Sequence, residues 1–177
     1  KNRWAKSPSV GLRWNFNKES WLEDWSWLDY GDVRFSYGVN LRPVTNIYAS
    51  QGWYDVKGNY NNVTRISPHL GNMPNPFLKP ERVQQYNYGF DMSVFNGRLS
   101  VIFDAYTKTT EDMLYERKLA TSTGFATTYT NEASIYNYGY EATFTVRPLP
   151  AKSKINWTFS FNWAVNRDIL LSLPAGA

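Results

Sequence analysis

Apolar and polar residues alternate with a period of two along most of this chain, and helical periodicity is almost absent. In Ser9–Asn17 the apolar set is Val10, Leu12, Trp14 and Phe16, separated by Gly11, Arg13 and Asn15. Residues 32–39 set Val33, Phe35, Tyr37 and Val39 against Arg34, Ser36 and Gly38. Residues 83–95 oppose Tyr86, Tyr88, Phe90, Met92 and Val94 to Gln85, Asn87, Gly89, Asp91 and Ser93. The next segment carries Leu99, Val101, Phe103 and Ala105 against Ser100, Asp104 and Lys108, with Ile102 and Tyr106 interrupting the polar set. Residues 134–147 and 155–166 repeat the pattern, the latter with Ile155, Trp157, Phe159, Phe161, Trp163 and Val165 on one side. The alternation predicts six strands, several longer than the usual five or six residues.

Two turns test the register. Asn96-Gly97 is a type I′ signal, and a two-residue turn there pairs Phe95 with Arg98. Above it Val94 meets Leu99, Met92 meets Val101 and Phe90 meets Phe103. A second turn over Pro148–Ser153 pairs Val146 with Ile155, Phe144 with Trp157, Ala142 with Phe159 and Tyr140 with Phe161. Apolar meets apolar at each rung, so the strands read as one continuous antiparallel sheet.

The connections alternate in length: 18–31 is modest, 40–81 long, 96–97 tight, 113–133 long and 148–153 short. Short turns at one end and long loops at the other are the signature of a transmembrane β-barrel. With the short turns below, Tyr37, Tyr86, Tyr88, Tyr136 and Tyr138 fall near the top of the apolar face. Phe90, Met92, Val101, Phe103, Ala142 and Phe144 fall beneath them. Tyrosine above aliphatic and phenyl groups describes an interfacial girdle over a lipid-facing band, and Trp21, Trp25 and Trp27 are candidates for the lower girdle. A soluble sandwich, the rival architecture, has no reason to sort tyrosine by height.

Composition agrees. Aromatic residues make up 18% of the chain, with 8 Trp, 13 Tyr and 10 Phe. No apolar run exceeds three residues, which excludes a transmembrane helix of about 20. The 19 basic and 15 acidic residues are scattered singly, so the net charge of +4 makes no nucleic-acid surface. There is no cysteine and a single histidine, so no thiol nucleophile, disulfide or Cys/His metal site is expected. No catalytic, metal or cofactor residue is assigned, and the chain does not read as an enzyme. Six strands are too few to close a bilayer barrel, for which about eight is the minimum. The sequence begins at Lys1 without a leader and stops in mid-pattern. It reads as an excerpt of a larger barrel, of about 22 strands if plugged.

Ordered motifs carry a family resemblance. Residues 1–16, with Asn2-Arg3-Trp4 and Ser7-Pro8-Ser9-Val10-Gly11-Leu12, resemble a strand of the SusC/RagA family of TonB-dependent outer-membrane transporters. Arg34-Phe35-Ser36-Tyr37-Gly38 and Asn75-Pro76-Phe77-Leu78-Lys79-Pro80-Glu81 resemble further motifs of that family, as does Gly89-Phe90-Asp91. So do Phe95-Asn96-Gly97-Arg98-Leu99, the run from Tyr106 to Leu114, and Asn137-Tyr138-Gly139-Tyr140-Glu141. The resemblance implies an importer of oligosaccharides or peptides in the bacterial outer membrane, in contact with outer-membrane lipid. It implies TonB and a SusD-like surface lipoprotein as partners, with the plug domain and TonB box outside residues 1–177. A structural barrel within a larger envelope assembly, without transport, is the alternative.

Candidate sites follow from the faces. Arg13, Arg34, Asp91, Asp104 and Glu141 belong to the polar, lumen-facing set. Asp91 and Asp104 are diagonal neighbours that need water, plug residues or a cation such as Arg34 or Arg13. Gly139, between two tyrosines, lets another backbone or a bulky partner approach closely. Trp53, Tyr54, Tyr60 and His69 in the long loop are candidates for ligand or lid contact, and aromatics among amides equally suit a self-packed loop. Asn62-Val63-Thr64 and Asn156-Trp157-Thr158 match a glycosylation sequon by chance.

Overall fold

A computed structural model describes residues 6–150 and 152–174. Asn2, Arg3 and Trp4 of the first motif lie outside the described residues. In chain order the strands are β1 (Ser9–Trp14), β2 (Leu28–Arg42), β3 (Tyr54–Tyr60), β4 (Val63–Pro68) and β5 (Asn72–Met73). They continue with β6 (Glu81–Val94), β7 (Leu99–Lys118), β8 (Thr127–Val146) and β9 (Phe159–Ser172). One antiparallel path runs β1-β2-β6-β7-β8-β9, to which β5 adds two residues parallel to the start of β8. The six strands of this path are the six that the alternation predicts. β3 and β4 form a separate hairpin inside the long loop, beside the short helix α1 (Ile47–Gln51).

The boundaries need four corrections. β1 stops at Trp14, because Phe16 leaves the strand in a short 3₁₀ turn and stacks on Phe90 with ring centroids 6.2 Å apart. The lower link is therefore 15–27. The upper loop of residues 113–133 shrinks to 119–126, since β7 and β8 keep pairing through Tyr115–Thr130 and Arg117–Thr128. Threonine and tyrosine suit a pleated surface, so the ladder outlasts the apolar alternation. The turn after β6 keeps its expected rungs, but Phe95, Asn96 and Gly97 all adopt positive φ, at 59°, 57° and 73°. It is a wider turn than type I′, held by Phe95 N–H on Trp27 O and Gly97 N–H on Asp29 Oδ2. Finally, Val146 pairs with Phe159 rather than Ile155, and Phe144 with Phe161 rather than Trp157. This register lets Asn137 donate to Asp168 and Tyr106 reach Asn166, and the connection lengthens to 147–158.

Register lines up the apolar face by height. One rung joins Val10, Tyr37, Tyr86, Thr107 and Tyr138, and the next Leu12, Phe35, Tyr88, Ala105 and Tyr140. Below them come Trp14, Val33, Phe90, Phe103, Ala142 and Trp163, then Met92, Val101, Phe144 and Phe161. Tyr37 and Tyr86 touch with ring centroids 4.8 Å apart. Strands of 20 residues exceed the 9–11 that cross a bilayer, so β7 and β8 project well beyond it.

The sheet is a single layer. Among the described residues the buried apolar side chains are Leu22, Val39, Ala49, Val94, Ala133 and Ala142, too few for a globular core. Phe161, Trp163, Leu12 and Val33 are exposed on the apolar face. A face of that size requires cover from another apolar medium or element. No helix among the described residues is long and apolar enough to cross a membrane.

Candidate functional site

The polar face carries a charged ladder. Across neighbouring strands the register sets Arg13, Arg34, Gly89, Asp104 and Glu141 in one row, and Asp32 beside Asp91 in the row below. Arg34 lies over Gly89 and forks onto Asp91, with Nη1 to Oδ2 at 2.9 Å and Nη2 to Oδ1 at 3.0 Å. The same Nη2 reaches Asp104 Oδ1 at 3.3 Å. One guanidinium thus answers both carboxylates, in the bidentate geometry that arginine favours. Arg13 pairs with Asp32, whose side chain is fully buried and also accepts from Tyr30 Oη at 3.0 Å. Glu141 stands opposite Asp104 and, among the described residues, forms no ion pair or hydrogen bond.

Glycine makes these crossings possible. A Cβ on Gly89 would lie 2.6 Å from Arg34 Nε and 2.9 Å from Asp104 Oδ1. At Gly139 it would meet Tyr106 Cε1 at 2.6 Å, together with Asn166 Oδ1. Tyr106 therefore spans β8 and donates to Asn166 Oδ1 at 3.0 Å. The bulky group that approaches Gly139 belongs to the neighbouring strand. Ser36, Asn87 and Gln85 complete the face, Asn87 donating to Ser36 at 3.0 Å and Gln85 to Asn87 at 2.8 Å. A shallow cavity of about 350 Å³ opens among Gly11, Arg13, Arg34, Ser36, Asn87 and Asp104.

The loop candidates divide. Trp53 stacks on His69 with centroids 4.0 Å apart, and Tyr48 packs edge-on against Trp53 at 5.2 Å. His69 Nδ1 lies 3.1 Å from Asp55 Oδ2, and Lys57 Nζ lies 3.3 Å from the same oxygen. The hydrogen bond from His69, then Lys57, holds the Asp55 carboxyl below its ordinary value. Trp53 and His69 are thus engaged inside the loop. Tyr54 and Tyr60, 68% and 78% exposed, stand out on the β3–β4 hairpin. That hairpin turns on Asn61 and Asn62, both with positive φ. The Asn-Asn pair between alternating residues was the available signal for it.

Two groups escaped the motif reading. Asp32, first in the 32–39 alternation, has the parity of Arg34 and Ser36 and so belongs to the polar face. Asn131, in β8, fastens the end of the long loop: it accepts from Lys79 N–H at 2.8 Å and donates to Lys79 O and Asp112 O at 3.0 and 2.7 Å. Asn75 donates to Tyr129 O at 2.9 Å, and Glu81 accepts from Leu114 N–H at 3.0 Å. The Asn75–Glu81 motif is therefore a clamp between loop and sheet. Its contacts are between main chain and side chain at long separation, which no local pattern displays.

A family model described as "TonB dependent receptor-like, beta-barrel" matches residues 1–172. The chain belongs to that family. TonB-dependent receptor barrels reside in the bacterial outer membrane, which supplies the apolar medium for the exposed face, and the relatives of this one are receptors and transporters rather than enzymes. TonB-dependent receptor P39 of Formosa agariphila is 32% identical over 171 residues, 96% of this chain and 16% of that protein. TonB-dependent receptor SusC of Bacteroides thetaiotaomicron is 29% identical over 181 residues, 99% of this chain and 18% of that protein. The RagAB peptide importer in its closed-closed state superposes with a TM-score of 0.80 at 27% identity, over 96% of this chain and 18% of that one. This TonB-dependent receptor barrel segment thus spans less than a fifth of such relatives.

Proposed function

We propose that this chain is an arc of the wall of a TonB-energised importer, its polar face lining the lumen and its short turns toward the periplasm. The plug domain and TonB box belong to the remainder of the parent protein. A SusD-like lipoprotein acts as lid, and the cargo is an oligosaccharide or a peptide. The observation that supports this most is the overlay of 96% of this chain on 18% of the RagAB peptide importer chain, joined to 29% identity with SusC. Arg13, Arg34, Asp91, Asp104 and Glu141 then form a hydrated wall of net negative charge, Arg13 being taken up by Asp32 and Arg34 shared between Asp91 and Asp104. Tyr54 and Tyr60 contact solute or lid, on a platform that Trp53 and His69 stiffen.

Growth on single oligosaccharides and peptides tests the reading. A strain lacking the parent gene should lose growth on one class of oligomer, and the wild-type gene should restore it. A gene with Asn59–Thr64 replaced by a Gly/Ser linker should give a folded barrel, because surface loops tolerate such changes. It should restore growth only partly, or lose the lipoprotein on purification. Unchanged growth on every oligomer after deletion would instead favour the structural barrel.

A further inference from the structure

Two neighbouring connections at the short-turn end carry cations and no acid. Residues 95–98 contribute Arg98, and residues 147–158 contribute Arg147, Lys152 and Lys154. Between them lies a cavity of about 750 Å³, lined by Arg98, Arg147 and Lys152 together with Leu149, Asn156 and Trp157. Leu99 and Val146 form the last rung of the β7–β8 ladder, on the apolar face. Arg147 N–H then donates to Arg98 O at 2.7 Å, so the two arginines stand side by side one step further on. Alternation turns that step to the opposite, lumen-facing side. Like charges opposed at a sheet end repel. Among the described residues none of the three lining cations forms an ion pair or a side-chain hydrogen bond.

Acids of the same end do not answer them. Asp29 is committed to Gly97 N–H at 2.9 Å, and Glu19 accepts from Trp14 Nε1 at 2.9 Å. Glu23 and Asp24, in the 15–27 link, form no ion pair among the described residues. Position and charge together then identify the occupant. A site on the lumen side of the wall is approached from inside the barrel and not from lipid. Guanidinium forks suit carboxylate oxygens. A small free anion would satisfy the cations but leave Trp157, which is 57% exposed, and Leu149 uncovered. A stretch of polypeptide brings carboxylates and apolar neighbours at once. This chain spans 18% of SusC, so a parent of that length has ample polypeptide to occupy its lumen.

We propose that Arg98, Arg147 and Lys152 bind carboxylates of an acidic stretch of the parent's plug domain at the periplasmic rim of the lumen, with Trp157 and Leu149 against the residues beside them. The inference rests on the importer reading above, which supplies the plug. A water-soluble carbodiimide joins a lysine amine to a carboxylate only where the two touch, which makes Lys152 the reporter in the purified full-length parent. Peptide mapping by mass spectrometry should find Lys152 linked to an Asp or Glu of the plug domain. Raising the salt to about 1 M should cut the yield, because exposed charges are then screened within about 3 Å. Arg98→Gln, which keeps Lys152, should lower the yield about three- to five-fold. Arg117→Gln, at the opposite end, should leave it unchanged. No link, a link only to Glu19, Glu23 or Asp24, or a yield indifferent to Arg98→Gln would overturn the proposal. Uptake does not enter this measurement. Loss of growth without the link sinks this inference alone, and the link without loss of growth sinks import alone.

Discussion

A methyl group at position 89 or 139 would fill the space through which Arg34 and Tyr106 cross the middle strand. Gly139→Ala should therefore cost about 1–3 kcal/mol of overpacking. Tyr106→Ser, which empties the same space, should recover much of that loss in the double variant; denaturant titration of the full-length barrel in lipid measures both. Neighbouring residues give a sharper contrast. Phe103 lies on the apolar face beside Phe90 and Ala142, whereas Ile102 lies on the polar face between Asp91 and Thr143. Phe103→Arg should destabilise the barrel by about 2–4 kcal/mol and Ile102→Arg by much less, although both replace an apolar residue with a charge. Equal losses in that titration would refute the facing. In the loop, Asp55 has a lowered pKa, so its contribution is complete above the ordinary carboxylate value of 3.8 and disappears as pH falls through the lower folded value. His69→Gln removes the leading cause, and the midpoint of a ¹³C-labelled Asp55 carboxyl should rise.

Among the elements, the long loop is held by single side chains rather than by a core of its own. Asn131→Ala removes three hydrogen bonds and leaves the Lys79 and Asp112 main-chain groups short of partners. The local cost is about 1–3 kcal/mol, so amides of residues 70–80 should exchange at least about tenfold faster while β6 and β7 at bilayer height keep their protection. The six long strands were legible because each is two-faced over many residues, and so was the tyrosine ordering. The β3–β4 hairpin was hidden by Gly58 and the irregular pairing between Val56 and Asn59, which break the alternation. Parity placed Arg34, Asp91 and Asp104 on one face but left water, plug residues or either arginine as partner of the two carboxylates; the β2–β6 register, which no local pattern shows, gives them Arg34. Asn131 was not legible, because the strand extension that places it follows from pairing and not from composition.

At the scale of the molecule, six strands form an arc whose apolar face needs cover that the described residues do not supply, while its polar face is open to water. The isolated chain in detergent-free buffer should aggregate and show no cooperative thermal transition; a soluble monomer that melts sharply would contradict the assignment. Partner choice between β8 and β9 bears on how such an arc reaches one arrangement. Phe159 takes the place opposite Val146 that turn length alone would give to Ile155, a displacement of four residues, yet the same faces meet. A strand with two unlike faces acts as a parity check. Slips by an odd number of residues turn Asn162 and Asn166 toward the hydrocarbon and are rejected at once; even slips pass, and only the polar face distinguishes them. During assembly β9 therefore has half of its alignments open to it, and the hydrogen bonds Asn137–Asp168 and Tyr106–Asn166 select the final one.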